Sequence, residues 1–110
     1  MSRKPTKNYL RTYRLRAALT LGELSALLGI HQSSLERYEA GLRPPTAEVV
    51  IASEIIFGVR GAVLFPALYN AVDEELPIRA LALHDRLVGR TDSASLKKLA
   101  LIGGIPGRLG

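Results

Sequence analysis

Gln32, Ser33, Glu36 and Arg37 carry the chemistry that this sequence offers most plainly. An amide and a guanidinium each make two hydrogen bonds to a single planar partner. Glutamine and arginine use that capacity on the major-groove edges of adenine and guanine respectively. Covalent catalysis has no comparable set. No cysteine occurs, no serine has a plausible neighbouring base, and Asp73-Glu74-Glu75 reads as a solvated helix end rather than an acid and base pair. His31 and His84 are too few for a histidine metal cage, and the lack of cysteine removes thiolate sites and disulfides. The glycine-rich stretch 103–107, GGIPG, lacks the lysine and the serine or threonine that follow a phosphate-binding loop. The sequence predicts no enzyme, no metal and no cofactor.

Length and composition are those of one small globular domain with a short appendage: 110 residues, 47% hydrophobic and 23% charged. The net charge of +5 is unevenly spread. Residues 1–16 hold six bases and no acid; residues 17–78 hold three bases and eight acids; residues 79–110 hold six bases and two acids. A basic arm and a basic tail flank an acidic middle, so a polyanionic partner is expected at the flanks more than at the centre. The basic start has no apolar run behind it, which predicts no secretory signal. The most apolar window, 49–72, is broken by Glu54, Arg60 and Pro66, which predicts no membrane span.

The elements that must position Gln32 to Arg37 read as a series of short helices without strands. Tyr9, Leu10, Tyr13, Ala17 and Ala18 recur at helical spacing, predicting a first helix over about residues 7–18. Thr20 and Glu23 have capping-box spacing. Leu24, Leu27 and Leu28 form the stripe of a second helix, which Gly29 ends. A third helix follows at once, with Leu35 and Tyr38 inward and Gly41 as its terminator. Pro44 and Pro45 impose a rigid loop. Thr46 caps a fourth helix whose buried candidates are Val49, Val50, Ala52, Ile55 and Ile56. Residues 61–76 read as a fifth helix, bent or split by Pro66. Residues 77–88 read as a further amphipathic helix with Leu76, Ala80, Leu83 and Leu87 on one face. Asp92 or Ser93 caps a last helix containing Leu96, Leu99 and Ile102. Two short helices joined through a glycine, with Ile30 plugging the angle and Leu35 pinning the second to the first, have helix-turn-helix geometry. A polar outer face is also the default for any solvated helix.

Four stretches go further: Tyr13-Arg14 with Leu19-Thr20; Glu23 to Ile30; Ser33 to Gly41; and Pro45-Thr46 running on to Phe57-Gly58-Val59. In this order and spacing, the segment from Leu10 to Phe65 resembles the phage-repressor and Cro family of helix-turn-helix domains, also called the xenobiotic-response-element type. The resemblance implies an all-α, five-helix repressor-like domain, usually a dimeric repressor reading DNA with its third helix. It places the base-reading positions on Gln32, Ser33 and Arg37, with Ser34 beside them. It places the family's buried structural ion pair on Arg14 and Glu39. Three departures weaken the expected phosphate contacts. Leu21 stands where the family carries a phosphate-binding glutamine, the loop after the third helix keeps only Arg43, and His31 is a weaker helix cap than serine or threonine. The arm residues Arg3, Lys4 and Lys7 are the substitutes.

These readings predict a basic arm over 1–7, a helix-turn-helix domain over 8–75, a helical extension and candidate dimerisation element over 76–102, and a flexible tail over 103–110. The expected function is that of a cytoplasmic transcriptional regulator, nucleoid-associated when bound. It would act as a homodimeric repressor on double-stranded DNA, without contact with a membrane. The alternative is a protein-binding module such as an antitoxin, with residues 76–102 on a protein partner.

Overall fold

Asn8 decides where the first helix begins. In the computed structural model, which describes residues 7–106, its Oδ1 accepts from the Leu10 backbone N–H at 3.0 Å, while its Nδ2 donates to the Tyr38 carbonyl at 2.8 Å. Seven helices and no strand occur among the described residues. They are α1 (Leu10–Arg16), α2 (Leu21–Leu28), α3 (Gln32–Glu39), α4 (Ala47–Phe57), α5 (Gly61–Leu64), α6 (Pro66–Leu87) and α7 (Ser93–Gly103). The described residues divide into two compact units, with the boundary between Tyr69 and Asn70. Among the described residues no helix is long and apolar enough to cross a membrane, and no cluster of His, Asp or Glu could hold a metal ion.

In the first unit the core is built on Leu10, Leu24, Leu35 and Leu64, all fully buried, with Tyr38, Val49, Val50 and Phe65 around them. One leucine each from α1, α2, α3 and α5 meets at the centre, so each short helix is held by what it buries rather than by its own length. Tyr13 packs on Phe57 with ring centroids 5.8 Å apart, tying α1 to the end of α4. Gly61 lets α5 approach closely: a Cβ there would lie 2.8 Å from Val50 Cγ1 and would also strike the Tyr69 hydroxyl.

The helix ends explain their own lengths. α1 is shorter than its apolar spacing predicts because Ala18 turns left-handed at φ +59. The Leu19 N–H then reaches back to the Arg14 carbonyl at 3.1 Å, and that of Ala18 to Leu15 at 3.0 Å, the Schellman arrangement. Both halves of the capping box open α2: Thr20 Oγ1 accepts from Glu23 N–H at 3.1 Å, and Glu23 Oε1 accepts from Thr20 N–H at 2.9 Å. Thr46 caps α4 through the Val49 N–H, and Glu54 reaches forward to accept from Gly61 N–H at 2.9 Å at the start of α5.

Two sequence expectations change here. In α4, Ile55 is 77% exposed and Ser53 is fully buried. The helix is apolar on nearly every side, so periodicity does not point; Val49, Val50 and Ser53 face the core, whereas Ile51 and Ile55 face outward. The second change concerns Pro77. Pro66 does separate α5 from α6, but Pro77 lies inside α6 rather than starting a new helix. A proline there costs one backbone hydrogen bond, of order 3 kcal/mol with its steric clash. The turn is supported by good helix formers on either side and by Arg79, which donates to Glu75 at 2.9 Å across the proline.

In the second unit Asp92 caps α7 by accepting from the Ser95 N–H at 3.0 Å, and Leu87 and Ser95 are the buried residues. Ile78, Leu81, Val88, Leu96 and Leu101 are exposed.

Two stability outcomes are expected. Left-handed backbone costs a non-glycine residue roughly 1 kcal/mol, so Ala18→Gly should raise the urea midpoint by about that amount of stability. The hydrogen bonds from Thr20 hold the Glu23 carboxyl below the usual glutamate range. That contribution is present above the ordinary glutamate pKa and is lost as pH falls through the lowered one. Glu23→Gln should therefore lower the thermal midpoint at about pH 7, and the gap to the unaltered protein should narrow as pH falls below the ordinary glutamate range.

Candidate nucleic-acid interface

The turn between α2 and α3 begins at Gly29, whose φ of +70 suits a residue without a side chain, and its N–H returns to the Ala26 carbonyl. The Ile30 N–H bonds the Ser25 carbonyl at 3.0 Å, and Ile30 packs against the core. α3 then starts at Gln32 with His31 at its cap position, where the imidazole makes no capping bond.

At about 100° per residue, α3 divides into two arcs. Leu35 and Tyr38 are buried on one, with Glu39 beside them. Gln32, Ser33, Glu36 and Arg37 are exposed on the other, spanning about 140°. Ser34 is half-buried at the margin between Arg37 and Tyr38. Gln32 lies along the face: its Nε2 donates to Glu36 Oε1 at 3.5 Å, and its Oε1 sits 3.7 Å from where a Cβ on Gly22 would be.

A bidentate ion pair fixes the rotation of α3. Arg14 Nε donates to Glu39 Oε2 at 2.6 Å and Arg14 Nη2 to Glu39 Oε1 at 3.0 Å, while Nη1 donates to the Leu19 carbonyl at 3.1 Å. Both side chains are buried. The hydrogen bonds that Arg14 donates to Glu39 outweigh desolvation and hold the guanidinium above its ordinary, already high, pKa. One side chain thus ties together α1, the approach to α2 and the end of α3.

The cations around this face are few. Arg43 is exposed in the loop after α3. Lys7 is exposed with Nζ 5.9 Å from the Tyr9 ring centroid, directly before the Asn8 anchor on α3. Arg3 and Lys4 lie outside the described residues. Two further positions belong to the site's surroundings. Asn8 holds the segment after Lys7 against the end of α3; its signal was a capping residue type just before the first apolar position. Arg11 lines a shallow, open depression of about 420 Å³ with Arg14, Leu21, Glu36, Glu39 and Ala40. Its signal was the three-residue spacing to Arg14, which puts both on one face of α1.

Residues 8–59, spanning α1 to α4, match the family model described as a helix-turn-helix domain. The match spans just under half of the 110 residues. The match is consistent with the phage-repressor and Cro type of DNA-binding domain, and a helix-turn-helix domain points to a DNA-binding regulator. No curated protein and no solved structure matches the chain.

Removing one partner of a buried ion pair leaves the other uncompensated, at about 3–5 kcal/mol. Glu39→Ala should therefore lose about 3 kcal/mol or more in urea unfolding. The double replacement Arg14→Met with Glu39→Leu should recover much of that loss, and the double-mutant cycle should show strong coupling.

Proposed function

We propose that this protein is a sequence-specific, double-stranded DNA-binding transcriptional regulator, a repressor acting as a homodimer and reading the major groove with α3. The observation that carries the reading is the exposed arc of Gln32, Ser33 and Arg37 on a helix whose opposite arc is locked by Leu35, Tyr38 and the Arg14–Glu39 pair. Base readout needs side chains free at their tips and fixed at their root; Ser33 and Arg37 are free, and Gln32 is held only by its long bond to Glu36. Arg37 suits a guanine edge, Gln32 an adenine edge, and Ser33 and Ser34 either donors or acceptors. Lys7 and Arg43, with Arg3 and Lys4, are the proposed phosphate contacts. So small a set favours modest affinity with a shallow salt dependence, about 0.9 in log–log slope per phosphate neutralised. In a dimer the two reading helices would address half-sites about 34 Å apart. On this reading the protein works without catalysis or cofactor, in the cytoplasm, and on the nucleoid when bound.

The domain plan is an arm over 1–7, a five-helix repressor-like domain over 8–75, an extension over 76–102 that pairs two copies, and a tail over 103–110. A second reading, an antitoxin-like module whose 76–102 segment covers a protein partner, is favoured by one observation. That segment leaves large apolar side chains exposed, among them Ile78 and Leu101, the latter at 75%. A partner co-purifying at fixed stoichiometry with no enrichment of DNA would favour the module over the regulator.

The deciding measurement is selection from a random duplex library at moderate salt, with Arg37→Ala run beside the unaltered protein. Convergence on a two-fold site that the variant no longer distinguishes at one position is expected. Absence of any enriched sequence would refute the reading.

A further inference from the structure

Glu36 is a misfit on a face meant for a polyanion. It is one of four exposed residues on the outer arc of α3, and a carboxylate directed at a duplex is repelled unless it meets a hydrogen-bond donor. No internal duty explains it. Among the described residues no cation pairs with Glu36, although Arg11 borders the same depression. It caps no helix end. The one hydrogen bond to its carboxylate is the long one from Gln32 Nε2, four residues earlier, which occupies Oε1 and leaves Oε2 open.

The major groove offers few partners to such a group. Guanine presents O6 and N7, both acceptors, and thymine presents O4, also an acceptor. Adenine presents its N6 donor next to the N7 acceptor, whose lone pair repels the rest of a carboxylate. Cytosine presents an N4 amino donor with no acceptor of its own beside it. We infer that Glu36 is a specificity-determining residue that accepts from a cytosine N4 amino group and rejects guanine and thymine at that base. This rests on the DNA-reading proposal above. Four residues of helix separate Glu36 from Gln32 by about 6 Å, near two base steps of about 3.4 Å, so the two address different base pairs. Glu36 adds selectivity and not affinity: its charge lowers binding to every duplex and is offset only at the site carrying the right cytosine. An exposed carboxylate on the reading face also accounts for part of the acidic character of residues 17–78.

The test uses the full chain with Glu36→Gln, which is isosteric on an exposed helix face, and Glu36→Ala as the second variant. Each is taken through duplex selection and then titrated against the best site, its single-base-pair variants and an unrelated duplex. The unaltered protein should enrich a cytosine at one position of each half-site and discriminate there by roughly ten-fold or more. Both variants should lose preference at that position alone, while binding the unrelated duplex more tightly. If the unaltered protein and both variants enrich the same site with the same discrimination everywhere, the inference is overturned and the DNA-reading proposal survives. If the unaltered protein enriches nothing, both are overturned together.

Discussion

One guanidinium sets the geometry on which the rest of this domain depends. Arg14 reaches from α1 to both oxygens of Glu39 at the end of α3 and to the Leu19 carbonyl ahead of α2. Two ions out of water are expensive, and their attraction compensates only when every donor and acceptor is used. Here three guanidinium nitrogens are engaged and both carboxylate oxygens are filled. The pair therefore acts as a register pin more than as a source of stability. A hydrophobic pair would pack as well but would not dictate how far α3 is rotated. Rotation matters because about half a turn would exchange the exposed arc for the buried one.

The short helices make this pinning necessary. α1, α2 and α3 have 7, 8 and 8 residues, below the length at which an isolated helix holds in water. Their order comes from caps and from single leucines at a shared centre. The Asn8 bond to the Tyr38 carbonyl repeats the theme at the other end of α1, so α1 is fastened to the end of α3 from both sides. The face on α3 is consequently rigid at the backbone, while its side chains carry few internal bonds. That division suits a surface that must meet a partner of fixed shape with adaptable tips.

Much of the fold was legible where a residue type has only one good use. Thr20 with Glu23, Gly29, Thr46 and Asp92 each mark a helix end by chemistry that needs no tertiary context, and the structure forms each of those ends. Legibility failed where context decides. Ala18 gives no sign of the left-handed turn that ends α1, because alanine belongs as readily inside a helix as after it. Pro77 reads locally as a helix start, yet the helix runs through it. In α4 the apolar residues surround the axis, so the sequence could not tell that Ser53 faces in and Ile55 faces out. At the interface, periodicity alone separated Leu35 and Tyr38 from the polar arc. The pairing of Arg14 with Glu39, 25 positions apart, came from resemblance, since no local pattern encodes a contact at that distance. Asn8 and Arg11 were passed over because their roles depend on which helices become neighbours.

The division of the chain at Tyr69 and Asn70 also has a spectroscopic side. There is no tryptophan, and Tyr9, Tyr13, Tyr38 and Tyr69, with both phenylalanines, lie in the first unit. Near-ultraviolet absorption and emission therefore report on the helix-turn-helix unit alone, whereas far-ultraviolet dichroism sums every helix, with much of α6 and all of α7 belonging to the second. The molecule carries a built-in label on one half only. Any separation between the two optical signals on heating is a direct measure of how independently the two halves hold together.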